Sequence, residues 1–213
     1  MNYNEFKKET QNQPLVLSSD LLALKESKQA IRNQLERWRK KKLLIRLKRG
    51  VFLLNQSDRK LNISRAYIAN QLYSPSYVSV EYALNYYGLI PERTNDLTSV
   101  SAKKTLRIVN ETGNFIYQHI KPQAFRGFKA QKDDAGLAFF IAVPEKAIVD
   151  FIYLNLNKFK VQDKSIFEES YRFQNLEVLK TKIIMEFAKG FNSDKLLRVC
   201  KLFCEFAKKE GAK

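Results

Sequence analysis

The 213-residue sequence is long enough for one large domain or two small ones, and its 45% hydrophobic content suffices for a core. Its formal net charge is +16, and the first 60 residues hold 15 basic but only 6 acidic side chains. No apolar run approaches the ~20 residues that span a bilayer, and the polar N-terminus is no secretory signal. These features predict a cytoplasmic protein with no membrane partner and a polyanion bound to its N-terminal part.

Three helical segments are predicted to open the chain. The first covers residues 3–10, and a short second one begins near residue 21, behind a polar N-cap at residues 18–20. The third runs from Ser27, which can cap it, to about Lys41. Its apolar residues recur at spacings of four and three, which places them on one helical face: Ile31, Leu35 and Trp38.

A basic β-hairpin is predicted to follow this helix. Two short apolar runs flank Lys48-Arg49-Gly50, where the glycine supplies the positive φ of a tight turn. From Arg37 to Arg49 there are eight basic side chains and no acidic one. A polar-faced helix followed by a basic hairpin is the order of parts in a winged helix. Residues 1–56 are therefore predicted to form a winged helix-turn-helix domain that binds double-stranded DNA.

The polar face of the third helix and the hairpin tip are the predicted DNA contacts. A helix fits the ~12 Å major groove, where Arg pairs with guanine and Gln or Asn pairs with adenine. The start of the helix is predicted to lie at the base edges, with Ser27, Lys28, Gln29, Arg32 and Asn33. The later basic residues are predicted to hold phosphates, and they are Arg39, Lys40, Lys41 and Lys42. At the tip of the hairpin, the adjacent backbone or minor groove would be reached by Lys48 and Arg49.

A polar boundary at residues 56–60 separates this domain from a second one, residues 61–213. Helices are predicted there over 61–73, 80–87, 144–156, 176–189 and after Ser193. Strands are predicted over 97–100, 105–109, 115–120, 125–130 and 137–142, with hairpin loops between them. The predicted fold class is therefore α+β, with a mixed α/β second domain that has an antiparallel-rich sheet and C-terminal helices.

The sequence contains few groups that could carry out catalysis. His119 is the single histidine, and none of the common phosphate-binding or nucleophile motifs is present. The carboxylates of Asp133 and Asp134 could hold a metal, but their place in a glycine-containing loop favours a turn. Lys146 and Asp150 are four residues apart on a helix, where an ion pair is expected. We therefore predict a protein that is not an enzyme, with no catalytic residues, metal or cofactor.

Three segments of the second domain resemble the AbiEi-like antitoxins of type IV toxin–antitoxin systems. They are residues 77–91 (YVSVEYALNYYGLIP), 125–128 (FRGF) and 142–153 (AVPEKAIVDFIY). The resemblance covers the chain from the predicted winged helix to about Tyr153. It implies a repressor of its own operon whose C-terminal domain neutralises a nucleotidyltransferase-like toxin without necessarily binding it. It also implies a family-specific antitoxin surface in the region of Tyr82, Arg126 and Lys146.

Two other functions remain open from the sequence. The chain could be a nucleic-acid-processing enzyme whose basic domain only delivers the substrate. It could also be an RNA-binding module that masks the target of a toxin. Turnover of labelled nucleic acids would distinguish the first, and competition between tRNA and operator DNA would distinguish the second.

Overall fold

The computed structural model of the chain describes residues 2–23, 27–160 and 165–210. Its strands form a three-stranded sheet near the N-terminus and a six-stranded sheet further along, and helices end the described chain. The predicted α+β class, with an antiparallel-rich sheet and C-terminal helices, is confirmed. Within those three ranges, none of the helices combines the length and the apolar character that crossing a bilayer requires.

The N-terminal unit comprises the described residues up to 54. Its elements are α1 (Tyr3–Thr10), β1 (Val16–Leu17), a 3₁₀ turn (Asp20–Ala23), α2 (Lys28–Lys40), β2 (Leu44–Lys48) and β3 (Val51–Leu54). The three strands pair antiparallel in the order β1-β3-β2. The short second helix expected from residue 21 is one 3₁₀ turn as far as Ala23, and Leu24 lies outside the described residues.

Local capping and a shared aromatic cluster fix the helices of this unit. The side chain of Ser27 accepts a hydrogen bond from the backbone N–H of Ala30 at 3.2 Å, as expected for the N-cap of α2. The predicted apolar stripe of α2 is buried, and its Trp38 ring lies 4.6 Å from the ring of Phe6 and 5.5 Å from that of Tyr3. These rings join α1 to α2 and leave the opposite face of α2 in solvent.

Each face of the β2–β3 hairpin packs against a different core. Gly50 adopts φ +78° at the turn, as the sequence predicted. One face of the hairpin packs into the core of the N-terminal unit through Leu44, Phe52 and Leu54. The other face packs into the large core of the following unit through Leu47, Val51 and Leu53. The two cores therefore meet at this hairpin.

The boundary segment is held against the first helix. The hydroxyl of Tyr3 donates to Asp58 Oδ2 at 2.7 Å, and the ammonium of Lys7 pairs with Asp58 Oδ1 at 2.5 Å. The backbone N–H of Lys60 donates to the carbonyl of Gln11 at 3.1 Å. Residues 55–60 are therefore fixed to the first helix and the residue after it by hydrogen bonds and an ion pair, and we call this segment the strap.

The C-terminal unit, which comprises the described residues from 61 onward, is built on the larger sheet. That sheet has the order β6-β7-β5-β4-β9-β8, with three antiparallel pairings and two parallel ones, β4 with β9 and β5 with β7. The elements are α3 (Arg65–Leu72), β4 (Tyr77–Val78), α4 (Val80–Tyr86), β5 (Leu97–Ser101), β6 (Leu106–Asn110), β7 (Gly113–His119), a 3₁₀ turn (Pro122–Ala124), β8 (Phe128–Lys132) and β9 (Ala138–Ala142).

Helices complete the core of this unit. They are α5 (Pro144–Leu154), a π turn (Ile166–Ser170), a 3₁₀ turn (Leu176–Val178), α6 (Thr181–Lys189) and α7 (Asp194–Glu210). The single helix expected over 176–189 is wrong, because the backbone is extended at Leu179 and Lys180. The backbone N–H of Lys180 instead donates to the buried carboxylate of Glu145 at 3.1 Å. A tertiary hydrogen bond therefore divides an apolar pattern that looks continuous in sequence.

Candidate nucleic-acid interface

The exposed face of α2 carries most of the side chains predicted to contact DNA. Ser27, Lys28, Gln29, Arg32, Asn33, Lys40, Lys41 and Lys42 are all exposed. Their position follows from the burial of the apolar stripe on the other side of the same helix. The structure therefore brings these residues together along one helix and the loop after it.

Two of the polar side chains on this face are joined. The Gln29 amide donates to Asn33 Oδ1 at 3.0 Å across one helical turn. Each amide retains further donors and acceptors, because this bond uses one hydrogen of Gln29 and one oxygen of Asn33. The pair can therefore present a preformed edge for hydrogen bonding, of the kind that reads adenine.

A groove of about 390 Å³ lies between α2 and the hairpin. Arg32 and Asn33 line it from the helix, and Arg46, Arg49 and Gly50 line it from the hairpin. Arg46 lies outside the predicted contact set. Arg46 is exposed, whereas its neighbours Ile45 and Leu47 face the protein. Because side chains alternate along a strand, Arg46 is expected on the side of the cationic helix face. The groove is concave and lined by three guanidinium groups.

One acidic side chain interrupts this cationic surface. The carboxylate of Glu36 lines the groove and accepts a hydrogen bond from the Arg39 Nε at 3.0 Å. That hydrogen bond lowers the pKa of Glu36, with further help from the charges of Arg46 and Lys40. Arg39, one of the predicted phosphate contacts, is thus engaged by a neighbour on its own helix.

Lys48 pairs with Val51 at the hairpin turn, but its side chain is directed to the C-terminal unit. Its ammonium donates to the carbonyl of Leu72, at the end of α3, at 2.6 Å. Burial lowers the pKa of Lys48, and the charge of Lys103 adds to that effect. The expected contact of Lys48 with DNA is therefore replaced by a contact with the C-terminal unit, whereas Arg49 remains exposed. The last carbonyl groups of a helix lack partners within it and carry partial negative charge. They therefore attract a lysine ammonium, as a phosphate would.

The sequence matches no protein-family model, and no curated protein sequence is significantly similar to it.

One of the three residues expected to form an antitoxin surface does not lie at the surface. Lys146 is 0% exposed, within α5. Arg126 is exposed and close enough to add to the lowering of the Lys146 pKa, which burial dominates. Tyr82 lies on α4, where its backbone N–H donates to the Thr98 hydroxyl at 3.1 Å. The surface position expected for Lys146 is therefore wrong. The amphipathic pattern of a helix does not show which of its charged residues are buried.

The expected ion pair on α5 is present at the centre of the C-terminal unit. The Lys146 ammonium donates to Asp150 Oδ1, and both side chains are buried. The hydroxyls of Tyr77 and Ser79 donate to Asp150 Oδ2 at 2.9 and 2.8 Å. The stem of Lys146 passes Gly127, where an added Cβ would stand 3.1 Å from its Cγ. The Asp150 carboxylate thus accepts hydrogen bonds from three donors, and these bonds compensate the cost of removing its charge from water.

Two of the groups considered for catalysis, Asp133 and His119, contact the backbone. Asp133 accepts hydrogen bonds from the backbone N–H groups of Ser64, Ala135 and Leu137, which fits the predicted turn. The Nδ1 of His119 lies 3.0 Å from the carbonyl oxygen of Lys103. Across the part of the chain that the structure describes, no three His, Cys, Asp or Glu side chains are grouped so as to hold a metal ion.

Proposed function

We propose that the chain is a DNA-binding repressor of its own operon and an antitoxin. The observation that carries the DNA-binding part is the cationic face of α2 beside the guanidinium-lined groove. The order helix, strand, helical turn, helix and hairpin in the N-terminal unit supports a winged helix, with α2 as the recognition helix. In this arrangement the start of α2 enters the major groove, and Arg46 and Arg49 lie over the flanking phosphates.

The antitoxin part of the proposal rests on the resemblance of residues 77–91 and 142–153 to the AbiEi-like antitoxins. In the structure these two segments pack together, because Tyr77 and Ser79 bond to Asp150. The motifs therefore form one structural centre in the C-terminal unit. Protection against a nucleotidyltransferase-like toxin would then depend on this unit, while operator binding depends on the N-terminal one.

A binding titration tests the repressor part. The full chain is titrated with the DNA immediately upstream of its own gene and with random DNA of equal length, each at two salt concentrations. We expect both affinities to fall with salt, because bound lysines and arginines release counterions. Preference for the upstream DNA should persist at the higher salt. Equal binding of both DNAs that vanishes with salt would contradict a sequence-reading repressor.

Two further experiments test the RNA-binding module and the nucleic-acid-processing enzyme. Competition with tRNA should fail to displace the upstream DNA, whereas preferential binding of tRNA would favour the RNA-binding module. Incubation with labelled RNA, DNA and nucleotides in Mg²⁺ should give no turnover. Turnover would favour the processing enzyme.

A further inference from the structure

A second concave site lies on the C-terminal unit. It is a cavity of about 230 Å³ between the end of α3, residues 74–76 and the strands β8 and β9. It shares no lining residue with the groove beside α2. It is smaller than the ~300 Å³ at which pockets for drug-sized ligands begin, so it suits a small ring system.

Two buried polar groups line this cavity without a partner. Asn70 is 7% exposed and Ser76 is 6% exposed. Within the described part of the chain, neither the Asn70 Nδ2 nor the Ser76 Oγ has a hydrogen-bond partner. The Asn70 Oδ1 accepts the backbone N–H of Phe140, which fixes the orientation of the amide. Buried donors of this kind are normally satisfied, so a ligand with an acceptor at its edge would complete them.

The rest of the lining is largely aromatic. Phe125, Phe128 and Phe140 contribute rings, and the Phe128 and Phe140 rings lie 5.6 Å apart and nearly perpendicular. Tyr77 stacks behind Phe128 at 4.7 Å. Phe140 is 47% exposed, which is unusual for so large an apolar side chain. Aromatic faces of this kind take a planar ring by stacking.

Positive charge lies beside the cavity and not inside it. The ammonium of Lys103 donates to the carbonyl of Ser74, a residue of the cavity lining, at 2.5 Å. Lys103 also lines an open depression of about 640 Å³, together with Lys104 and His119, and its bond to Ser74 links that depression to the cavity lining. A ligand with a neutral ring and an attached anion therefore matches both places.

We propose that this cavity binds one nucleobase, with the attached phosphate held near Lys103 and Lys104. The base stacks on the ring of the exposed Phe140 and meets Phe128 edge to face, and its own edge accepts a hydrogen bond from the Asn70 amide. A free nucleotide and an unstacked base of a single strand carry the same chemistry. The site is separate from the groove beside α2, so it does not depend on the proposed operator binding.

Equilibrium dialysis of the full chain tests the proposal. The probes are the four ribonucleoside monophosphates, the matching nucleosides and short single-stranded RNAs. Saturable binding is expected at millimolar concentration or below. The substitution Phe140→Ala should weaken it about tenfold through lost stacking. Ser76→Ala should weaken it severalfold and leave folding intact, because its hydroxyl has no partner to lose.

Matched controls separate the two parts of the site. Val178→Ala removes a side chain that is 55% exposed and lies outside the cavity lining, and it should leave binding unchanged. Lys104→Ala should reduce the advantage of nucleotides over nucleosides. Tighter binding of RNA than of monophosphates would identify a strand as the source of the base, and the reverse would identify a free nucleotide.

Two outcomes would overturn the proposal. One is the absence of binding by every probe. The other is binding of monophosphates that Phe140→Ala and Ser76→Ala leave unchanged, which would show a cationic surface patch and no base site. Neither outcome bears on the titration with upstream DNA.

Discussion

Charged side chains meet opposite environments in the two units of this molecule. On α2 and the loop after it, Lys28, Lys40, Lys41 and Lys42 lie in solvent. In the C-terminal unit, Lys146 is completely enclosed and bonded to Asp150. An exposed ammonium costs little and adds to a long-range field, whereas an enclosed one must be paired to be tolerated. Substitutions in the two units should therefore affect different measurements.

The largest effect is expected from breaking the buried pair. Lys146→Met keeps most of the side-chain volume but leaves the Asp150 carboxylate without its cation. We expect the free energy of unfolding to fall by about 3–5 kcal/mol, measured by urea denaturation. The control is Lys195→Met on the exposed face of α7, which should change it by less than about 0.5 kcal/mol.

Addition of Asp150→Asn to Lys146→Met sharpens this test. The amide oxygen still accepts from the hydroxyls of Tyr77 and Ser79, but the stranded charge is gone. The double variant should therefore be more stable than Lys146→Met alone. Equal or lower stability of the double variant would contradict the view that an unpaired buried charge causes the loss.

A smaller loss is expected at the strap. Hydrogen bonds from Lys7 and Tyr3 lower the pKa of Asp58. The carboxylate therefore stabilises the fold above its unfolded pKa of about 3.9, and that contribution is lost as pH falls through the lower folded pKa. Asp58→Asn should cost about 1–2 kcal/mol at neutral pH, since Lys7 is partly exposed.

Urea denaturation at neutral and acid pH measures this effect. The difference between Asp58→Asn and the parent should shrink in acid, where the parent has lost the same contribution. Asp134→Asn, at an exposed position in the β8–β9 loop, serves as the control and should leave stability unchanged at both pH values. A pH-independent difference at Asp58 would show that its ionisation is not what stabilises the strap.

In the N-terminal unit, Arg32→Ala should affect DNA binding and not stability. If Arg32 reads a base, preference for the upstream DNA over random DNA falls by about 1–3 kcal/mol. The free energy of unfolding should change by less than about 0.5 kcal/mol, because the side chain is exposed. Arg198→Ala on α7 controls for the loss of one positive charge. If Arg32→Ala leaves the preference for upstream DNA unchanged, α2 is not the element that recognises the DNA sequence.

The smallest effect is expected at Glu36, the acid in the groove. Glu36→Gln removes a repulsive charge and releases Arg39 for a phosphate. We expect DNA affinity to rise about twofold to fivefold, with a steeper salt dependence by roughly one additional ion. The control Glu186→Gln, exposed on α6, should have no effect. A decrease in affinity at Glu36 would show that the Glu36–Arg39 pair itself positions the surface.

Part of the candidate interface was predictable because its residues are close in sequence. The helical period placed Ile31, Leu35 and Trp38 inside, and the polar residues between them had to face out. The hairpin followed from the glycine turn. Arg46 lies between Ile45 and Leu47, which pack toward the C-terminal unit, so alternation over these three residues places it on the opposite face. A bulge after Arg46 breaks this alternation before Lys48.

The nucleobase cavity was not predictable in this way. Phe140 lies 70 residues after Asn70 in the chain, and Asn70, Ser76 and Phe140 taken alone are ordinary helix, loop and strand residues. Their common position depends on the pairing of β4 with β9, which brings the end of α3 close to the β8–β9 edge.

The sequence by itself determined the α+β class, the basic N-terminal unit and most of the helices and strands, since these depend on local periodicity, capping and turns. The tertiary structure decided where individual charges and polar groups lie. Lys48 bonds to the end of α3, and Lys146 lies inside the core. A bond from Lys180 to Glu145 divides the helical pattern over 176–189. Lys48 and Glu145 each bond to a group distant in sequence, and Tyr77 and Ser79 bring two distant donors to the Asp150 carboxylate beside Lys146. Such bonds form because an unpaired buried polar group costs more than a local pattern can offset.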